Sequence, residues 1–173
     1  MKIRMDDAKI RRKALYEALS ERILLLDGAM GTMIQRCDLH AHDYGGPKLE
    51  GCPENLVVTR PDVIQDIHRK YLAAGSDIVE TDTFGSMSVV LAEYGIAEKA
   101  YELSREAARL ARVACDEFST AAKPRFVAAS IGPTTKMIAL TGVITFPELV
   151  DSYYEQFRGV IDGGADILLI ETC

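Results

Sequence analysis

Two acidic residues stand where they can grip a small charged molecule. Asp27 follows the apolar run Leu24–Leu26 and precedes Gly28, Ala29, Met30, Gly31 and Thr32, a stretch of small residues containing two glycines. A carboxylate at a strand end can receive an ammonium group, and open backbone N–H groups beside glycines can receive a carboxylate. That combination suits an α-amino acid. Glu171 closes a second apolar run, Ile167–Ile170, in the same way. Either acid alone is equally well explained as a helix cap or a lysine partner. Two acids at matching strand ends point towards a ligand site.

Other residues invite chemistry less strongly. Cys37, His40, His42 and Cys52 are all zinc-binding types, and the first three lie close together. An irregular polar loop explains the same residues, and no paired Cys-x-x-Cys supports a metal. Cys115 falls in an alanine-rich stretch and reads as a small buried hydrophobe. Cys173 shares strand parity with Glu171 and can face the same end of the fold. His68 sits on a helical turn beside Ile64, Tyr71 and Leu72 and reads as structural. Gly28-x-x-Gly31 lacks the spacing of a phosphate or dinucleotide loop. No Ser–His–Asp set follows from spacing alone.

The elements that must position these residues alternate between strand and helix. Helical spacing runs from Asp6 to Ser20, then from Pro61 to a stop near Gly75, Ser86–Tyr94, Ala97–Phe118 and Pro147–Asp162. Apolar strands are expected at Ile23–Leu26, Asp77–Phe84, Arg125–Ile131 and Asp166–Glu171. The polar, glycine- and proline-containing stretch 36–55 reads as a long loop after the first strand. Such alternation implies parallel pairing through right-handed crossovers. Two segments carry one pattern: Gly75–Ser76–Asp77 leads to Glu80–Thr81, and Gly164–Ala165–Asp166 leads to Glu171–Thr172. This echo favours an α/β fold of the parallel (β/α) TIM-barrel type. Residues 1–173 then supply its first half only, about four β/α units, with residues 1–21 as an N-terminal helical extension. In such barrels the chemistry sits on loops after the C-terminal strand ends. Here those loops carry Asp27, Thr81–Phe84, Ser130–Thr134 and Glu171–Thr172.

Composition sets the outer limits. The 173 residues are 48% hydrophobic and 27% charged, a globular balance with enough apolar material for one core. A net charge of −6 argues against nucleic acid as a partner. No apolar stretch approaches the roughly 20 residues of a membrane span. Acids in Met1–Asp7 occupy the place of a signal peptide's apolar core. The four cysteines show no disulfide spacing, so a cytoplasmic location is expected.

At this point the motifs resemble a known family. Asp27–Gln35 is similar to the opening of the homocysteine-binding (homocysteine S-methyltransferase) barrel found at the N-terminus of cobalamin-dependent methionine synthases. Asn55–Ile64 with Ile67 and His68, Glu80–Gly85, Gly132–Thr134 and Gly163–Thr172 follow in that family's order and approximate spacing. The likeness covers about Ile23 to Thr172. Betaine- and S-methylmethionine-dependent homocysteine methyltransferases share the fold and remain the alternative.

The resemblance implies a chemistry that makes methionine. Zinc held by three cysteine thiolates keeps homocysteine sulfur deprotonated near neutral pH. That thiolate attacks the methyl group of methylcobalamin, which methyltetrahydrofolate recharges. By the same resemblance, Asp27 and Glu171 hold the substrate's amino group and backbone at Gly28 and Ala29 meets its carboxylate. Thr83, Phe84 and Thr134 line the mouth. The family's zinc cysteines belong to the second half of the barrel, beyond Cys173, so no catalytic residue is assigned to this chain. The expectation is that this polypeptide alone binds neither zinc nor cobalamin and transfers no methyl group. Its partners are then homocysteine, the second half-barrel, and the folate and cobalamin domains. A different expectation is a non-catalytic half-barrel that self-associates through its first and fourth strand edges.

Overall fold

Short apolar runs, each introduced by an aspartate or arginine and flanked by turn residues, form a parallel sheet. The computed structural model describes residues 5–136, 138 and 143–172. The strands are β1 (Ile78–Glu80), β2 (Phe126–Ile131) and β3 (Ile167–Ile170), ordered β1-β2-β3 and all parallel. Ile78 pairs with Phe126, Glu80 with Ala128, Ala128 with Ile167, and Ser130 with Leu169. Partners in a parallel pair face the same way. Ile78, Glu80, Phe126, Ala128, Ser130, Ile167 and Leu169 therefore share one face, and Glu171 continues its parity.

Among the described residues seven α-helices accompany the sheet: α1 (Met5–Glu21), α2 (Met30–Gln35), α3 (Leu56–Thr59), α4 (Pro61–Ala74), α5 (Ser88–Leu91), α6 (Ala100–Phe118) and α7 (Phe146–Gly163). α4 and α6 cover the other face of the sheet, where Leu72, Val79, Ala111, Ala114, Cys115 and Val127 form a buried cluster. Ala108, Ala129, Ile131 and Val160 continue it beneath α7. On the first face, Leu15 and Ala18 of α1 pack against Phe126, with Leu24, Ile78 and Ile167 alongside. The N-terminal helix thus closes the lower end of the inner face and leaves the upper end to polar residues. No helix among the described residues is long and apolar enough to cross a membrane.

α4 and α7 end alike. Gly75 (φ 118°) and Gly164 (φ 106°) adopt the left-handed conformation that costs a glycine least. Two residues later comes an aspartate that fastens strands together. Asp77 accepts Arg22 through both oxygens at 2.8 Å and the Leu25 N–H at 3.0 Å. Asp166 accepts Arg11 at 2.6 Å, Arg112 at 2.7 Å and the Val127 N–H at 3.0 Å.

Several expected elements change extent. The first strand, expected over Ile23–Leu26, shrinks to a single parallel bridge between Leu26 and Ile78. The Leu25 carbonyl accepts both the Asp77 and Ile78 N–H groups, and Asp77 takes the Leu25 N–H. A side chain thus replaces a ladder along this edge, and Ile23 is 87% exposed. The strand expected over Asp77–Phe84 stops at Glu80. There Thr83 N–H turns back to the Thr81 carbonyl and Ser86 N–H to that of Thr83. α2 is a helix where only a loop of small residues was expected. The loop 36–55 contains turns and one 3-10 turn at Pro53–Asn55. It is pinned by Arg60 to Asp43 (2.5 Å), Asn55 to the Tyr44 carbonyl (2.7 Å) and Tyr94 to the Gly51 carbonyl (3.0 Å).

Candidate functional site

A cavity of about 310 Å³ opens at the C-terminal ends of the strands, lined by Ala29, Met30, Gly31, Pro53, Glu54, Glu80, Thr81, Asp82, Phe84, Ser130 and Glu171. Four of these side chains are carboxylic acids. Glu80 is the last residue of β1, and Glu171 follows β3 with its N–H on the Ile131 carbonyl at 3.1 Å. Between them stands β2, whose Ala128 is small enough to leave room over the inner face. Ser130 donates its hydroxyl to Glu171 Oε1. Asp27, two residues before the lining residue Ala29, accepts the Glu80 N–H at 2.9 Å.

The loop after β1 is fixed by a buried polar network. Thr83 donates its hydroxyl to the Ser130 carbonyl at 2.7 Å and lies 2.5 Å from the Thr81 hydroxyl. Gln156 of α7 donates to the Thr83 carbonyl at 2.6 Å. Ser86 shares a hydrogen bond with Ser104 of α6 at 2.8 Å. Gly132 lets the loop approach β2: a Cβ there would lie 2.7 Å from the Phe84 carbonyl oxygen and 2.8 Å from its ring. Phe84 is thereby held over the cavity, and Asp82 is turned into it.

Burial and neighbouring acids control the ionisation of this cluster. Burial, with the Glu80 charge adding, pushes the Asp27 carboxyl up to about 7 against the pull of the Glu80 N–H. Burial first, then the charge of Glu171 and a hydrogen bond to it, raise Glu80 to about 7. Burial raises Asp82 well above the usual carboxylate range, reinforced by Glu54, and one Asp82 oxygen has no hydrogen-bond partner. Burial also raises Glu54, although the Gly85 N–H (2.9 Å) favours its ionised form. No basic side chain contributes to these four shifts. A concave site built this way attracts a cation and prefers one that brings several N–H donors.

Of the residues singled out in the sequence, Ala29, Phe84 and Glu171 line the cavity. Asp27 braces Glu80 through its backbone N–H, and Gly28 is exposed beside Tyr71. Among the described residues, the N–H groups of Gly28 and Ala29 donate to no other backbone group. Thr83 is fully buried behind the wall, its hydroxyl committed to Ser130. Thr134 is half-buried and accepts the Lys136 N–H at 2.9 Å within its own turn. Asp82 and Ser130 were placed on the strand-end loops without a role, and Glu54 and Glu80 were not assigned to the site. Glu80 had a signal, since Glu80–Thr81 repeats Glu171–Thr172 in the two matching units.

Cys37, His40, His42 and Cys52 are not assembled as a ligand set. Cys37 donates to the Met33 carbonyl at 3.3 Å, and the His40 and His42 rings lie 6.0 Å apart and tilted. Cys52 is buried against Glu54, and burial followed by that acid pushes its thiol up to about 12. Burial does the same to Cys115, also to about 12. Thiols so hard to ionise are poor zinc ligands. Among the described residues no cluster of three or more His, Cys, Asp or Glu side chains could hold a metal. Cys173 lies outside the described residues.

Comparison with known proteins agrees with the fold. Methionine synthases of Mycobacterium tuberculosis and Mycobacterium leprae are each 45% identical to the chain over 159 residues, covering 92% of it. The chain spans only 13% of the length of either relative. The crystal structure of the homocysteine methyltransferase MmuM from Escherichia coli in its metallated form superposes with a TM-score of 0.72 at 24% identity. It covers 89% of this chain and 55% of that one. The apo form gives 0.63 at 23% identity. These likenesses carry the fold, a parallel α/β half of a barrel. The sequence profile described as Homocysteine S-methyltransferase matches residues 24–173, from the Leu26 edge through the last strand, and so the chain belongs to the homocysteine S-methyltransferase family.

Proposed function

We propose that this chain holds homocysteine by its amino-acid end while its sulfur is methylated to give methionine. The observation that carries the reading is the carboxylate-lined cavity at the strand ends of a homocysteine S-methyltransferase chain. In this reading Asp27 and Glu171 take the α-ammonium, and the N–H groups of Gly28 and Ala29 take the α-carboxylate. Phe84 and Thr134 screen the entrance from water, and Thr83 holds the loop on which Phe84 rides. The chain's own residues bind and orient; the two opposed charges of the amino-acid end fix which way the side chain points.

Likeness to methionine synthases supports methylcobalamin, recharged by methyltetrahydrofolate, as the methyl source of the whole protein. Buried Cys52 and Cys115, their thiols pushed up to about 12, do not fit a zinc centre. Zinc and cobalamin, with the second half-barrel and the folate domain, then belong to parts of the protein outside these residues. Calorimetry with L-methionine, which carries the same amino-acid end without a thiol, tests the reading. Wild-type protein should bind L-methionine, and Glu171→Gln should weaken it by at least tenfold. Equal binding of des-amino methionine, 4-(methylthio)butanoate, would remove the reading.

A second reading rests on a different surface. An apolar groove of about 450 Å³ runs between α7 and β3, lined by Ile131, Phe146, Val150, Tyr154, Phe157 and Ile170 among others. Phe146 is 66% and Ile170 63% exposed. A face of this kind suits association, with the rest of the barrel or with a second copy.

A further inference from the structure

The cavity holds more acid than one ammonium group requires. Glu54 and Asp82 form one pair, fixed by the Gly85 N–H and by full burial. Glu80 and Glu171 form another, and they differ from the first by standing on the two strands that flank β2. Both lie on the inner face, with Ala128 opposite Glu80 and Ser130 on the diagonal of β2 that leads from Glu80 to Glu171. The two acids lie close enough that the charge of Glu171, and hydrogen bonding to it, add to burial in raising the Glu80 carboxyl. Each is also braced from a second direction: Asp27 accepts the Glu80 backbone N–H, and Ser130 donates its hydroxyl to Glu171. Both carboxyl groups line the cavity, so a ligand reaches them directly.

We propose that Glu80 and Glu171 hold one proton between them while the cavity is empty, and that the substrate's α-ammonium displaces it. Glu80 thereby becomes a third carboxylate of the amino-group grip, and binding is coupled to proton release. This rests on the reading that the cavity takes the amino-acid end of homocysteine. The balance is simple. The ammonium keeps its three protons and donates them to carboxylate oxygens. The shared proton leaves the Glu80–Glu171 pair for solvent, and no covalent bond forms or breaks elsewhere. Before binding, the proton relieves repulsion between two acids in a poorly solvated site; afterwards the ammonium does so with more donors.

The titratable groups facing Glu80 are Glu171 from the end of β3, Asp27 from the edge segment, and Glu54 and Asp82 across the cavity. Glu80 itself is raised to about 7, so the coupling falls in an accessible window. L-Methionine is the probe, because it has no thiol to release a proton of its own. Calorimetry in two buffers of different ionisation enthalpy gives the protons released per ligand bound. Wild-type protein should release about one proton at pH 6 and almost none at pH 8.5. Its affinity should rise by up to about tenfold per pH unit as pH increases towards 7 and level off above it, the slope of a single proton. Glu80→Gln should remove the proton released by the pair and flatten the slope by that proton, whereas Asp27→Asn, although it binds more weakly, should still release it.

Release that persists in Glu80→Gln and vanishes in Asp27→Asn overturns the assignment. Binding by the wild type without proton release overturns it too, whether or not the Glu80 variant folds. Absence of L-methionine binding at every pH removes the functional reading, and this inference with it.

Discussion

Asp27 accepts the Glu80 N–H at 2.9 Å while its own carboxyl is pushed up to about 7 by burial. Two substitutions separate these roles. Asp27→Asn keeps an oxygen acceptor, so urea unfolding should stay near the wild type while L-methionine affinity falls. Asp27→Ala leaves the Glu80 N–H without its acceptor and should cost about 1–3 kcal/mol of stability as well. The sign of the pH dependence follows from the raised values. Asp27 and Glu80 contribute stability that is full below about pH 4 and is lost as pH rises through about 7, because the folded state holds their protons longer. His68 acts oppositely. It is fully buried, neither ring nitrogen has a hydrogen-bond partner, and burial lowers it to about 4. Its stabilisation is full above about 6.5 and is lost as pH falls towards 4. His68→Leu should therefore flatten the acid side of a melting-temperature profile and stabilise by roughly 1 kcal/mol near pH 5. Asp27→Asn should flatten the neutral side. Asp27, Phe84 and Glu171 were legible as strand-end residues. The commitment of the Thr83 hydroxyl to the Ser130 carbonyl was not, since it depends on where a neighbouring strand ends.

At the scale of elements, α7 lies against α6 closely enough that a Cβ on Gly159 would sit 2.6 Å from the Tyr101 carbonyl oxygen and 2.7 Å from Ser104 Cβ. Gly159→Ala should destabilise by about 1–3 kcal/mol in urea unfolding, because overpacking against backbone outweighs the gain of roughly 1 kcal/mol in helix propensity. A neutral or stabilising result would mean that the two helices slide apart at little cost. This contact also carries Gln156, which holds the Thr83 carbonyl, so α7 positions the loop of Asp82 and Phe84 from behind. Helices α4, α6 and α7 were readable to within a few residues, because apolar periodicity, and for α4 and α7 a terminal glycine, are local signals. The first strand was overread. Leu24–Leu26 has the composition of a strand, but an edge satisfied by the Asp77 side chain needs only one bridge residue. α2 went unread because six residues, two of them preferring other conformations, carry no periodicity.

For the whole molecule, one broad apolar face is left uncovered. Phe146, Val150, Tyr154, Leu168 and Ile170 are between 45% and 66% exposed, with Leu168 and Ile170 on the side of the sheet opposite the acidic cavity. The isolated 173-residue chain should therefore associate as its concentration rises, measured by sedimentation velocity. Val150→Lys with Tyr154→Lys should restore a monomer without altering L-methionine binding. A monomer throughout in the wild type would show that the face is not adhesive. The half-barrel itself was legible from the strand–helix alternation and the doubled Gly-x-Asp pattern; the open face follows from three-dimensional packing that no local pattern records. The side-chain hydrogen bonds of Asp77 and Asp166 have a temporal consequence. Every partner, whether Arg22 and Leu25 or Arg11, Arg112 and Val127, is earlier in the chain than the aspartate it binds. The side-chain hydrogen bonds of each aspartate thus latch its strand to chain synthesised before it, while Lys123 and Arg125 reach the Asp77 carboxylate from later in the chain.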